Sequence, residues 1–458
     1  MKKLFVFLLC ICLLLISAGC TEKTPTVSTD PSTTADTDAE TTKTGKTVLD
    51  VYYLKTQFPT AEYIVRAFML ANPNVTVNIT AFQDAEQMDL QIASELSAGK
   101  GPDVVFFTGA TTLDTVKMAK NGAFLDLTPL MGTDPTYLEE EYFPVLDAGK
   151  VDSKQFLMPL RMRLPYLLTT QDRFSQELNL SEDYSASALM QSLTQAAAAN
   201  AENYSTLHFK GSEFYGEGSL LHEQLRLGGI AVADLESQAQ SVPDDIFLEY
   251  AAFTKMAYGQ YMKTVQFFRQ SSINTISGVL SVAAAVHTDR SLPCNLRYYA
   301  AILDQAMKKD IRLVTYPNYS DAAALTADIP LYAAIAKHTE EPEAAYALIR
   351  YGMDYSFNNI NEDLPISRSG VNSLLTNISA YVGKTFQEGA VTVKVPRLTQ
   401  EQKDFCLALF DRIRSGSIRN PAIGAIFSET MGDYITGASE FEECYQQFKN
   451  QLSIYLYE

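Results

Sequence analysis

Tryptophan is absent from this chain, and only four histidines occur in 458 residues. His208, His222, His287 and His338 stand far apart, with no pair at metal-ligand spacing such as H-E-x-x-H. Lone histidines of this kind are more often packing residues than ligands. There is no G-x-S-x-G nucleophile elbow and no G-x-x-x-x-G-K-[ST] phosphate loop. GKGPD at 99–103 lacks the Ser or Thr and the helix that a phosphate cradle needs. Nothing here implies a metal or a cofactor. Basic residues are scarce, with 36 Lys and Arg against 54 Asp and Glu and a formal net charge of −18. That balance argues against nucleic acid, whose phosphates need clustered cations. Carboxylates are plentiful, and a glycosidase needs only two of them at the right separation, so a surface hydrolase stays open. The run Glu139 to Glu141 reads as a solvated helix face.

Long apolar runs are also missing, save one. Lys2 and Lys3 precede an uncharged stretch from Leu4 to Ile16, then the small residues Ser17, Ala18 and Gly19. About 20 apolar residues are needed to span a bilayer as a helix, so this stretch reads as an export signal over 1–19. Ser17-Ala18-Gly19-Cys20 resembles the lipobox of bacterial lipoproteins, although a leucine is commoner where Ser17 stands. The resemblance implies that Cys20 carries a lipid and anchors the chain to a membrane. Residues 20–46 hold little besides Thr, Asp, Glu, Ser, Pro and Ala, too little apolar surface to repay ordering. As a flexible tether they reach roughly 25–30 Å. Beyond Cys20 three cysteines remain, Cys294, Cys406 and Cys444. No C-x-x-C occurs, and either a Cys406–Cys444 bridge or buried free thiols fits an exported protein.

The body of the chain exceeds one ordinary core, and two lobes are expected. KTVLDVYYL (46–54) has the composition of a buried strand. Ile64, Ala67, Phe68 and Ala71 make a helical stripe stopped at Asn72-Pro73. VTVNITAF (75–82) alternates as a strand, Met88, Ile92, Ala93 and Leu96 mark a second helix, DVVFFTG (103–109) is a third strand, and Thr111 to Lys120 is a third helix. Strand and helix in alternation predict a parallel sheet covered on both faces, with ligands beyond the carboxyl ends of its strands. Those ends are Tyr53-Leu54-Lys55, Phe82-Gln83-Asp84 and Thr108-Gly109. The middle, about 170–290, is helix-rich, with 247–268 as a long helix. Strand signals fade from 321 onward, and 340–356, 399–417 and 443–458 read as helices.

SAGKGPDVVFFTGATTLDTVKMAKNGAFLDLTPLM (97–131) resembles the G-x-G-P-D-V signature of the extracellular solute-binding proteins of ABC importers, particularly the carbohydrate-binding family. KQFLMPLRMRLPYLLTTQDRF (154–174) resembles the family's returning segment, with Thr169-Thr170-Gln171-Asp172 where a Tyr-Asn landmark is usual. LHEQLRLGGIAVADLESQ, TEEPEAAYALIRYGM, LPISRSG and QLSIYLYE follow in the family's order. The resemblance implies a two-lobed periplasmic-binding-protein-like α/β fold, each lobe a mostly parallel sheet flanked by helices, with a hinge between. It implies discontinuous lobes, 47–160 plus about 285–345 and 161–284 plus about 346–458. It also implies a monomer that closes on its ligand and docks on a permease.

A sugar site needs flat aromatics beside amide, carboxylate or guanidinium groups. Tyr53 and Phe82 either stack on such a ligand or belong to the core, while Gln57, Gln83, Asp84, Thr108 and Gly109 supply polar groups at the strand ends. Arg161 and Arg163, two apart on a strand, point the same way, with Tyr166 nearby. They either pair with an acidic ligand or sit in salt bridges at the hinge. Without tryptophan, Tyr and Phe must do any stacking, from 25 and 24 residues respectively. A binding receptor for a carbohydrate, or another polar nutrient, is the expected function. A hydrolase would need a catalytic carboxylate pair in the cleft, and a ligandless adhesin or scaffold would fill the cleft with its own side chains.

Overall fold

The computed structural model describes residues 46–55, 60–164, 166–199, 207–209, 218–270, 285–288, 292–355, 363–377 and 382–458. The signal, Cys20, the tether before residue 46 and Gln57 lie outside them.

Labels here cover the strands of the two larger sheets. β1 (Thr47–Leu54), β2 (Val75–Phe82) and β3 (Val104–Thr108) lie parallel in the order β2–β1–β3. α1 (Thr60–Ala71) connects β1 to β2 and α2 (Ala85–Ser97) connects β2 to β3. α1 buries Ile64, Val65 and Phe68, the stripe legible in the sequence. α2 starts where the Asp84 side chain accepts the Gln87 N–H at 2.9 Å. The third helix, α3 (Thr115–Lys120), begins four residues later than expected. Asp114 caps it, and Thr111 and Thr112 are held in a loop by Asp89.

The other strands are β4 (Met158–Arg163), β5 (Tyr166–Thr170), β6 (Leu207–Phe209), β7 (Ala285–Thr288), β8 (Ile311–Thr315), β9 (Leu325–Ile335), β10 (Leu364–Pro365) and β11 (Ile413–Ser417). The larger sheet runs β10–β4–β9–β3–β1–β2, with β11 beside β9; the smaller runs β8–β5–β7–β6. Both sheets are mixed. β9 is antiparallel to β3 and β4, and β5 is antiparallel to β7 and β8. The parallel set expected from the opening residues is β2–β1–β3, and later chain segments add the antiparallel strands.

β9 stands where strand signals fade in the sequence, yet it is an eleven-residue strand, almost wholly buried. Its three alanines and Pro330 conceal it. Pro330 falls between the residues paired with β11 (325–328) and those paired with β3 (331–335), so its missing N–H interrupts neither ladder. The expected helix over 399–417 ends at Phe410 and continues as β11, which pairs in parallel with β9. Of the stretch 285–345 expected beside the first sheet, only β9 joins it; β7 and β8 pair in the second. Helix Pro342–Asp354, expected with the second lobe, packs on the first core.

Two hydrophobic cores follow the two sheets. The first gathers β1, β3, β4 and β9 with α1 and helix Pro342–Asp354. The second gathers helices Ser219–Leu227, Pro421–Thr436 and Phe441–Tyr457 with Phe247, Tyr250 and Phe253. β5 alternates between them, Tyr166 and Leu168 facing the first and Leu167 the second. Cys406 lies in the first core and Cys444 in the second, and both are free thiols. The chain passes from one sheet toward the other core between β4 and β5, between β8 and β9, and after β11 at residues 418–420. At the second passage Gly229, with φ of +72°, lies so close to Asn318 that a Cβ would clash at 2.8 Å.

Candidate functional site at the junction of the two cores

The loop after β3 is built around one carboxylate. Asp89, 4 % exposed, accepts the Thr111 hydroxyl at 2.8 Å, and also the Thr112 N–H at 2.6 Å and hydroxyl at 2.8 Å. These bonds fix Thr108 and Gly109 at the strand's carboxyl end, where sheet topology places a ligand. Arg419, on the third passage, donates to the Gly109 carbonyl at 3.4 Å, and its Nε lies 3.3 Å from Glu223.

Beneath Arg419 lies a buried ion cluster. Helix Ser219–Leu227 carries His222, Glu223 and Arg226 on its inner side. Arg226, 7 % exposed, pairs with Glu223, with Asp328 of β9 at 2.7 Å and with the Ser417 carbonyl at 3.0 Å. The helix from the second core is thereby tied to two strands of the first sheet. Desolvation pushes the Glu223 carboxyl up, and the surrounding cations, Arg226 first, together with the Arg226 hydrogen bond more than reverse this, leaving it below its ordinary value. His222, 5 % exposed, stacks on Phe427 with centroids 5.3 Å apart, and burial pulls its pKa down to about 4. With His222 neutral, two guanidiniums balance two carboxylates.

A second polar chain crosses the junction beside the first. Asp114 caps α3 through the Lys117 N–H and accepts the Tyr455 hydroxyl at 2.6 Å. Asn420, the N-cap of helix Pro421–Thr436, donates to the same hydroxyl at 2.9 Å. Lys117 Nζ lies 4.0 Å above the Tyr455 ring and donates to the Tyr455 carbonyl at 2.5 Å. Lys120 donates to the Leu235 carbonyl at 2.9 Å. α3 is thus latched to the C-terminal helix of the other core.

The residues expected at the site are placed as follows. Thr108 and Gly109 are at the junction, with Thr108 Oγ1 taking the Ala110 N–H at 3.3 Å. Phe82, Gln83 and Asp84 stand at the end of β2: Phe82 packs edge-on against Tyr52 at 5.3 Å, Gln83 is exposed and Asp84 is the α2 cap. Tyr53 is a correction. At 2 % exposed it belongs to the first core, because Leu49, Val51 and Tyr53 share the inward face of β1 and Tyr52 takes the outward one. Arg161 is another, 1 % exposed, with its guanidinium spent on the Leu160, Gly352 and Tyr355 carbonyls at 2.6–2.9 Å. There it serves the carboxyl end of helix Pro342–Asp354, where a cation is favoured. Arg163 is paired two-pronged with Asp363 at 2.5 and 3.1 Å. Tyr166 is fully buried in the first core.

Arg226, Arg419, Asp89 and Tyr455 escaped sequence reasoning, since nothing local marks them. Asn420-Pro421 did carry a signal, the residue pair that opens a helix.

Two α/β cores joined by three passages, with a polar junction at the carboxyl end of a parallel sheet, define a two-lobed binding-protein fold. Residues 54–176 match the family model of the bacterial extracellular solute-binding proteins. The sugar-binding protein MalE from Xanthomonas citri has the same fold, with a TM-score of 0.63 over 90% of this chain and 98% of that one, at 16% identity. The cyclic alpha-maltosyl-1,6-maltose binding protein from Arthrobacter globiformis gives 0.57 over 90% and 99% at 11% identity. The GacH receptor of Streptomyces glaucescens, whose complex with acarbose is known, gives 0.54 over 90% and 99% at 13% identity. No curated protein sequence matches the chain. Among the described residues no helix is long and apolar enough to cross a membrane.

Proposed function

We propose that this protein is a receptor that captures a neutral sugar or oligosaccharide at the junction of its two cores and delivers it to the permease of an ABC importer. Under this reading a lipid on Cys20 holds it at the outer face of the membrane, and no bond of the solute is broken. The observation that carries the choice of a neutral solute is the balance of charge at the junction. Arg226 and Arg419 are offset by Glu223 and Asp328, and Arg163 is offset by Asp363. An acidic solute would meet cations already engaged, whereas hydroxyl groups need only hydrogen-bond partners. The sugar-binding neighbours of the same fold support the same class.

Thermal unfolding of the purified chain against neutral sugars, uronic acids, amino acids and short peptides tests it. An external dye must report, because the chain has no tryptophan. A neutral sugar at about 100 times its Kd is expected to stabilise the protein by roughly 2.7 kcal/mol and to be recovered unchanged. Stabilisation by uronic acids alone would reverse the charge argument, and release of product would make the protein a hydrolase.

The α3–Tyr455 latch gives a further prediction. Tyr455→Phe keeps the ring but removes the hydroxyl that joins Asp114 to Asn420. A net hydrogen bond contributes about 0.5–1.5 kcal/mol, so release of bound sugar is expected to quicken roughly three- to tenfold with little change in association rate. Stopped-flow displacement measures this. Equal release rates would remove the latch from the closure mechanism.

A further inference from the structure

The buried cluster beneath Arg419 holds one group whose charge changes in mild acid, His222. Its ring is buried and stacked on Phe427, and its Nδ1 has no hydrogen-bond partner among the described residues. A buried polar atom left in that state calls for a reason. A Cβ at Gly424 would stand 3.5 Å from that nitrogen and 3.3 Å from the Arg419 guanidinium, so ring and cation face one small space. Glu223, the next residue of the helix, has its Oε1 without a hydrogen bond too, with Arg419 Nε 3.3 Å away as an ion pair.

The charges around the ring come from few elements. Its own helix brings Glu223 and Arg226, with Asp328 of β9 behind Arg226, and the third passage brings Arg419. Helix Pro421–Thr436 meets the ring with Phe427 and Gly424, which carry no charge. With the ring neutral, two cations face two anions; a proton on it makes three against two. The two guanidiniums are not held alike. Arg226 reaches Asp328 and the Ser417 carbonyl at 2.7 and 3.0 Å, whereas Arg419 reaches Glu223 and the Gly109 carbonyl at 3.3 and 3.4 Å. Hydrogen bonds between opposite charges are ordinarily about 2.7–2.9 Å, so Arg419 is the member that gives way.

We propose that His222 is a proton switch on the junction: a proton on its ring displaces Arg419 from Glu223, frees Gly109 and lets the two cores part, so that mild acid discharges the solute. The last step rests on the reading of the junction as a sugar site; the earlier ones do not. Burial beside two guanidiniums opposes the proton while the junction is shut, and water reaches the ring when it parts. The shut form therefore has the lower pKa, about 4, against an ordinary 6.5. Closure is at full strength above the open-form value and is lost as pH falls toward the shut-form value. By reciprocity, a solute that shuts the junction lowers the pH at which the ring titrates.

Calorimetry of sugar binding at pH 7 and pH 5, in wild type and His222→Gln, tests the switch. At pH 5 the carboxyl groups, ordinarily near about 4, stay ionised, so histidines are the side chains that change charge. Wild type is expected to bind about tenfold more weakly at pH 5, within a ceiling of roughly twentyfold reached if opening restored the ordinary value. In His222→Gln the two affinities should differ by less than about twofold. The same fall in both proteins, or no fall in wild type, would overturn the switch. An NMR titration of the His222 ring, identified by its contact with the Phe427 ring, tests it without any sugar. The ring is expected to titrate at higher pH in Tyr455→Phe, whose junction is loosened, than in wild type. Equal values would overturn the proposal as well. Absence of sugar binding at pH 7 would instead remove the receptor reading, and the NMR titration would then decide the switch.

Discussion

Arg226→Met is expected to lose about 3–5 kcal/mol of folding stability, the cost of leaving a buried charge without its partner. Arg226 offsets both Glu223 and Asp328 and reaches the Ser417 carbonyl as well. Methionine fills a similar volume but offers no donor, so two carboxylates and a carbonyl lose their partner at once. Arg419 remains near Glu223, at 3.3 Å, and cannot serve Asp328 too. Urea unfolding of wild type and variant, at pH 7 with a common m-value, measures the loss. Adding Glu223→Gln and Asp328→Asn to the variant removes the orphaned charges and should restore much of it. A single-variant loss below about 1 kcal/mol would show that the cluster behaves as an ordinary surface ion network.

Lowering the pH from 6.5 to 4 is expected to remove about 3 kcal/mol through His222 alone. An unfolded histidine takes up a proton below 6.5, whereas burial holds His222 neutral in the folded chain until about 4. Within that window the unfolded state binds more protons, so stability falls as pH falls. The charges facing the ring are Glu223, which favours protonation, and Arg226 and Arg419, which oppose it. Glu223, itself held below its ordinary value, adds loss in the same direction once the pH passes below the unfolded carboxyl value. Denaturant unfolding across this range, for wild type and His222→Gln, isolates the histidine. The variant's curve should lie flatter by about the stated amount. Parallel curves would mean that His222 titrates alike in both states.

The opening parallel unit was legible because its signals are local. Val75–Phe82 alternates as a strand, Ile64 and Phe68 recur at helical spacing, and Asn72-Pro73 marks a stop. β9 was illegible for the opposite reason. A central strand with neighbours on both sides tolerates Ala333, Ala334 and Pro330, since its stability comes from partners that the local composition does not reveal. The site divides along the same line. Topology put Thr108 and Gly109 at the carboxyl end of a parallel strand, and that is where the structure has them. Between core and ligand the sequence left Tyr53 and Arg161 open, because side-chain direction depends on which face meets the core and which helix end lies nearby.

By itself the sequence determined an acidic body of two-lobe size and the β–α–β–α–β unit at its start, with the strand ends where topology looks for a ligand. Those depend on composition and spacing within a few turns of chain. Tertiary structure alone decided that Arg226, Asp328 and Arg419, separated by up to 193 residues, would share one junction. It also decided that Cys406 and Cys444 would sit apart in different cores, and that Arg161 would serve a helix end rather than a ligand. A buried charge acquires its meaning from whatever packs around it, and here those partners arrive from distant parts of the chain.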